Sequence, residues 1–417
     1  MSSLDAVVHG ARELVVGPAA GGDTLETHAD GAVAVVDGAV AAVGDTADVL
    51  AAYPAENATT AIDATGKTVL PGFVDPHTHA LFAGDRSDEF AAKLRGKPYQ
   101  EILAEGGGIL RTVDAVRAAS DAALVANLTA QLDVMLAHGT TTAEVKTGYG
   151  LDTETECRML DAIAAAAAEH PVDVVTTFLG AHAVPDDTDA DAYVDAVIAD
   201  QLPAAANGPA RFCDVFCEAD VFTVEQSRRI LDAGREHGLA PKLHAEEFTR
   251  LGGAQLAADL GATSADHLLH ATPEDAAALA DAGVTPVLLP ATAFVLDEAY
   301  ADPQQFLAAA DDRAGAPVAL GTDLNPNCYT HSMGFVVSLA CNGMRMAPAD
   351  AVLAATAWAA SALDRSQDGT GTLREGTDGD VLVVDAPSHV HLPYNPGVNN
   401  VEAVLTDGAV AVGGGGA

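Results

Sequence analysis

The chain has 417 residues, 49% of them hydrophobic, and carries 60 acidic against 20 basic side chains for a formal charge of −40. That length accommodates one large domain and a smaller companion, and that charge repels nucleic acid and anionic membrane, excluding both as partners. There is no apolar run of about 18 residues and no basic-then-apolar leader in the first ten positions, so a cytoplasmic protein is expected.

The first β-type signal is at 31–43, where short apolar runs flank the hairpin-type pair Asp37-Gly38. From about 66 to 360, short β-type runs alternate with alanine-rich helical stretches. The strands are expected over 69–74, 141–146, 172–179, 211–217, 241–244, 264–267, 285–289 and 317–321. Helices are expected over 121–137, 153–169, 224–236, 252–260, 273–282 and 303–311. Such alternation builds a parallel sheet with crossover helices, and eight repeats close a (β/α)8 TIM barrel, an α/β fold. Segments 380–384 and 401–412, the latter with Asp407-Gly408, again read as short strands. The two β-rich ends, 1–66 and 366–417, are each too small to stand alone and are expected to pair into one β-sandwich beside a barrel over 67–365, with 413–417 frayed.

The only lysines are Lys67, Lys93, Lys97, Lys146 and Lys242. An acidic, lysine-poor, alanine-rich chain suits a salt-rich cytoplasm in which counterions screen self-repulsion, so a halophile source is expected. Five cysteines, Cys157, Cys213, Cys217, Cys328 and Cys341, are scattered. Cys213 and Cys217 lie in an apolar run with no second pair nearby, which makes them core thiols in a reducing compartment.

Functional groups concentrate at the ends of the expected strands. The stretch Pro71-Gly-Phe-Val-Asp-Pro-His-Thr-His79 delivers His77 and His79, two residues apart and so on one face of an extended chain. Other strand ends carry Glu144 and Lys146, His182, His244 with Glu246 and Glu247, Asp266 and His267, and Asp323. Barrel enzymes seat their chemistry at such ends. Three imidazoles and a carboxylate, His77, His79, His244 and Asp323, suit one Zn2+ or Fe2+/Fe3+ ion with a position left for water. Asp323 can also accept the nucleophile's proton, His267 can orient the attacking water, and Glu247 can touch a substrate nitrogen or shuttle a proton. Glu246 is expected to be solvated and His270 structural.

Taken together, the Pro71–His79 stretch, His244, His267 and Asp323 resemble the amidohydrolase superfamily. Asp85-Arg86, Gly106-Gly-Gly-Ile109, Glu144-Val-Lys-Thr-Gly-Tyr-Gly150, Phe178-Leu-Gly-Ala-His182 and Thr322-Asp-Leu-Asn-Pro326 narrow the likeness to its imidazolonepropionase family, over essentially the whole chain. The resemblance implies hydrolytic opening of the ring of 4-imidazolone-5-propanoate to N-formimidoyl-L-glutamate in histidine degradation. It implies that Arg86 binds the carboxylate tail of that small-molecule substrate, and that Tyr149, His182, Glu247, Asn325, Asn327 and Cys328 contact it. Asn327 and Cys328 stand where the family usually has glycine and a small hydroxyl residue. A dinuclear site would need a carboxylated lysine at the end of strand four, where Cys217-Glu-Ala-Asp220 has none, so one metal is expected. A symmetric homodimer is the expected assembly. The competing readings are a heterocycle deaminase of the same superfamily, which has no need of a carboxylate-binding arginine, and a non-catalytic scaffold, which would not keep a full ligand set.

Overall fold

A computed structural model describes residues 3–22, 24–97, 101, 105–310 and 317–413. Eight parallel strands follow one another around a barrel: Phe73–Asp75, Thr140–Lys146, Asp173–Ala181, Phe212–Cys217, Ala240–Ala245, Ser264–His267, Thr285–Leu288 and Ala319–Leu320. Each pairs with its neighbour in sequence. Thr140–Lys146 and Ser264–His267 are buried at every residue, as strands must be when helices cover the outside and side chains fill the inside.

The last strand is short, and the barrel closes instead at its C-terminal end. Asp323 N–H donates to the His77 carbonyl at 3.0 Å and His79 N–H to that of Leu324 at 2.9 Å. Thr322 adds two bonds to the buried Asp75 carboxylate, from N at 3.0 Å and Oγ1 at 2.6 Å. Closure thus falls on the residues that surround the site.

The strand expected over 69–74 is two strands in two sheets. Thr68–Pro71 pairs with Leu4–Pro18 and Val381–Val384, whereas Phe73–Asp75 pairs with Thr140–Lys146 in the barrel. Gly72 makes the crossing: a Cβ there would lie 2.0 Å from Thr141 Oγ1, so only a residue without a side chain leaves room for the Thr141 side chain. The helices match closely, at Asp121–Ala137, Thr153–Ala167, Val224–Glu236, Gly253–Leu260, Pro273–Ala282 and Pro303–Ala310. Several start on a side-chain cap, with Ser120, Asp152, Thr223 and Thr272 accepting from the first turn. Residue 311 of the expected 303–311 helix and residues 414–417 of the expected frayed end lie outside the described residues.

Both chain ends build the second sheet. Its strands run in the order Ala409–Gly413, Val401–Thr406, Val381–Val384, Thr68–Pro71, Leu4–Pro18, Leu25–Val36, Ala39–Asp45, with Thr60–Asp63 also on Leu4–Pro18. Val33, Val35 and Val40 from one side and Val381, Ala403 and Leu405 from the other share one buried cluster, so the sheet wraps its own core. Cys213 and Cys217 are buried free thiols of the fourth barrel strand.

Candidate metal centre

At the C-terminal mouth of the barrel the period of two carries His77 and His79 inward together. His77 Nε2 and His79 Nε2 lie 3.6 and 3.5 Å from Asp323 Oδ1, and His244 Nε2 lies 3.3 Å from His79 Nε2. Donor atoms of His77, His79 and Asp323 all fall within 4.8 Å of one another, as do those of His77, His244 and His267. These side chains are buried, yet His77 Nε2 and Asp323 Oδ1 have no hydrogen-bond partner among the described residues. Orphaned buried acceptors of this kind need an explanation, and a cation at their common focus supplies one. Burial holds the pKa of His77 and of His79 well below the ordinary value, so both are neutral imidazoles, the form that binds metal. The donor set is nitrogen-rich with one carboxylate and fits zinc or iron.

Beneath the imidazoles lies a layer of buried charge. His77 Nδ1 meets Asp266 Oδ2 at 2.6 Å and His244 Nδ1 meets Asp214 Oδ2 at 3.0 Å. Lys146 Nζ is 2.7 Å from both Glu144 Oε2 and Asp214 Oδ2, and Lys242 Nζ is 2.7 Å from Glu144 Oε1. The Asp214 and Lys242 roles escaped the sequence reading, although each had a signal. Asp214 is the lone charge in an apolar strand, and Lys242 stands two residues before His244 on the same face.

His267, at the end of its strand, and Asp323, in the loop just past the last strand, have φ values of +78° and +51°, a left-handed backbone that costs a non-glycine residue energy and clusters at functional sites. Thr292 Oγ1 donates to Asp323 Oδ2 at 2.5 Å, and the Asn325 amide donates to the Asp323 carbonyl at 2.8 Å. Burial pushes the Asp323 carboxyl up. Burial, with the charges of Asp323 and Glu218, pushes Glu247 well above the carboxylate range. Glu247 Oε2 faces His267 Nε2 at 3.7 Å.

Arg86, Tyr149, His182, Glu247 and Asn325 line one cavity of about 130 Å3 with His79, His244, His267 and Asp323. His182 stacks on His79 with ring centres 4.7 Å apart. Buried glutamates anchor the loops that deliver these groups. Glu156 accepts from Gly148, Gly150 and Leu151 N–H around Tyr149, and Glu218 accepts from Phe248 and Thr249 N–H beside Glu247. Glu246, expected in solvent, is buried instead, because it caps the following helix through Leu251, Gly252 and Ala254 N–H. His270 sits in the loop with its N–H on the Glu246 carbonyl.

The structure adds a partner for Arg86: its Nε and Nη2 donate to Glu89 Oε2 at 3.0 and 2.9 Å, which aims the guanidinium. Arg86 also borders a second chamber of about 410 Å3 with Phe82, Phe90, Tyr329 and Asn327. Asn327 therefore faces that chamber, where its Oδ1 accepts from Lys93 Nζ at 2.6 Å. The Cys328 side chain is fully buried below the loop, and both Asn327 and Cys328 N–H groups donate to Asn325 Oδ1.

Comparison with known proteins agrees with this geometry. The model of the Amidohydrolase family matches residues 68–412. The chain is 99% identical over its full length, and that of the relative, to an imidazolonepropionase of Halobacterium salinarum. It is 66% identical to that of Haloarcula marismortui, covering 98% of this chain and 96% of the relative. It is 46% identical to that of Symbiobacterium thermophilum, covering 99% and 98%. Among solved structures, an adenosine deaminase from Xanthomonas campestris with bound zinc has the same fold at 18% identity, with a TM-score of 0.72 over 99% of this chain and 93% of that one. Family model and close relatives place the chain alike: it belongs to the amidohydrolase family, among the imidazolonepropionases.

Proposed function

We propose that this enzyme adds water across a carbon–nitrogen bond of the 4-imidazolone-5-propanoate ring, giving N-formimidoyl-L-glutamate, at one Zn2+ or Fe2+/Fe3+ ion held by His77, His79, His244 and Asp323. One observation carries the reading: those donors cluster, with His77 Nε2 and Asp323 Oδ1 orphaned, and His79, His244 and Asp323 line a small cavity whose wall holds the arginine Arg86. The names of the close relatives support it.

When bound, the ion would supply Lewis acidity and lower the pKa of a water. Asp323 takes the proton from the attacking water, its other oxygen being held by Thr292. His267, a neutral imidazole because burial lowers its pKa, orients that water. Oxygen bonds to the ring carbon, the carbon–nitrogen bond breaks, and the departing nitrogen takes a proton from Glu247, which burial keeps protonated. Arg86 binds the propanoate carboxylate by a charge-assisted hydrogen bond. Tyr149 and His182 flank the ring. Asn325 shapes the loop together with the Asn327 and Cys328 N–H groups.

The working division is a catalytic unit over 67–365 and a composite terminal unit, 1–66 with 366–417, that braces it and whose sheet takes in the Thr68–Pro71 strand. Among the described residues no helix is long and apolar enough to cross a membrane. A reducing, salt-rich cytoplasm fits the free cysteines and the charge, and a homodimer is the proposed assembly. The test is formimidoylglutamate formation by wild type in molar KCl, alongside metal analysis of wild type and His244→Ala. Product and bound metal in wild type, both lost in the variant, are expected. Ammonia released from aminated heterocycles, with no ring opening of the imidazolone, would replace this reading by deamination.

A further inference from the structure

The most heavily charged part of the barrel interior lies under the metal ligands, and nothing in the reaction above uses it. Glu144 and Lys146, on strand two, and Asp214, Lys242 and Asp266, on strands four, five and six, are all completely buried. Register sets them in rows: Lys242 pairs with Asp214, and His244 with Asp266. A separate donor group of His77, Glu144 and Asp266 would by itself fit a cation. The Lys146 ammonium supplies that charge, 2.7 Å from Glu144 Oε2, 2.7 Å from Asp214 Oδ2 and 3.7 Å from Asp266 Oδ2.

We propose that Lys146 is a positioning residue of the metal centre, an internal cation that clamps Asp266 and Asp214 so that they lock His77 and His244 with both Nε2 atoms turned to one point. This rests on the proposed ligand set. The chain of contacts is short. Lys146 donates to Asp214 at 2.7 Å and stands within ion-pair range of Asp266 at 3.7 Å, and Asp266 and Asp214 each accept from the Nδ1 edge of one imidazole. An imidazole that donates from Nδ1 is in the tautomer whose Nε2 carries a free lone pair. A ring freed from its carboxylate can rotate or change tautomer, and either loses the ligand. Two carboxylates in so small a volume repel each other unless a cation stands between them. Lys146 N–H also donates to the Thr78 carbonyl, at 3.0 Å, so the clamp is registered on the strand end that bears His77 and His79.

The test compares zinc affinity of the chelator-stripped full chain, measured by competition with a chromophoric chelator in molar KCl, for wild type, Lys146→Met and Leu128→Ala. Leu128 is a buried helix residue outside the centre and serves as a control for lost stability. Lys146→Met is expected to bind zinc about 10- to 100-fold more weakly, with Leu128→Ala unchanged. Asp214→Asn and Asp266→Asn should each weaken zinc binding, and less than additively when combined with Lys146→Met. Wild-type affinity in Lys146→Met, or an equal loss in Leu128→Ala, overturns the clamp. Should Lys146→Met fail to fold, wild-type affinity in both aspartate variants overturns it instead. A wild type that binds neither zinc nor iron would sink the ligand set itself, which is a different failure.

Discussion

Arg86 offers the sharpest quantitative test of substrate recognition. Its side chain is 9% exposed, so bulk water screens it little. Glu89 Oε2 already accepts from Nε and Nη2, which leaves the Nη1 edge outside that pair for a substrate carboxylate. One charge-assisted bond contributes about 1.5–3 kcal/mol. At about 1.36 kcal/mol per decade, Arg86→Met should cost about 10- to 150-fold in kcat/KM. In the proposed reaction the tail is not part of the breaking bond, so an Arg86 contact would act equally before and during reaction, and the loss should appear in KM with kcat nearly unchanged. Glu89 keeps the Gly108 N–H at 3.2 Å when Arg86 is gone, and Arg86→Met/Glu89→Gln controls for any carboxylate left short of partners. Steady-state kinetics are measured in molar KCl with the acid substrate and with its uncharged tail amide. Wild type should prefer the acid by the factor that the variant loses. An unchanged KM, or an acid-to-amide preference that survives Arg86→Met, would refute the reasoning.

Three further outcomes follow from the fold. Gly72→Ala puts a methyl 2.0 Å from Thr141 Oγ1 and 2.6 Å from its Cγ2, so it should destabilise by about 1–3 kcal/mol, read as a lower melting temperature. A melting temperature equal to wild type would mean the crossing between sheets is looser than it looks. Asp380 accepts from Asp407 N–H at 3.1 Å, and burial, with the charges of Asp407 and Asp378, pushes its carboxyl up to about 7. A folded pKa above the unfolded value makes its contribution fall as pH rises from roughly 4 towards 7. Asp380→Asn should therefore melt higher than wild type at about pH 8, with the gain shrinking towards about pH 4; a gain independent of pH would point to packing. Finally, a formal charge of −40 predicts a melting temperature that rises steeply with KCl as the screening length falls from about 10 Å at 0.1 M to about 3 Å at 1 M. A flat salt response would show that self-repulsion is not what limits stability.

Much of the fold was legible because its signals are local. The helix at 224–236 begins on a Thr223–Gln226 capping box and was expected at the observed bounds. The strand at 264–267 is likewise where expected. The 69–74 run failed for a reason no period exposes: apolar strand residues look alike whether they enter one sheet or two, and the break depends on Thr141, remote in sequence, occupying the space beside Gly72. The glutamates show the same boundary. Glu246 and Glu247 are adjacent carboxylates, but one caps a helix and the other faces the cavity, a choice made by the turn at a left-handed Glu246.

What the sequence determined by itself was the kind of chain and its chemical vocabulary. Alternating segments specified a barrel, and the inward period of two specified paired imidazoles. What only the tertiary structure decided was which groups meet. Asp214 under His244, Asp266 under His77, Lys146 between the two carboxylates, and Glu89 behind Arg86 join residues up to 189 positions apart. Strand order and register set those meetings, and a low-dielectric interior makes each one matter, since a buried charge must find its partner wherever the chain has placed it.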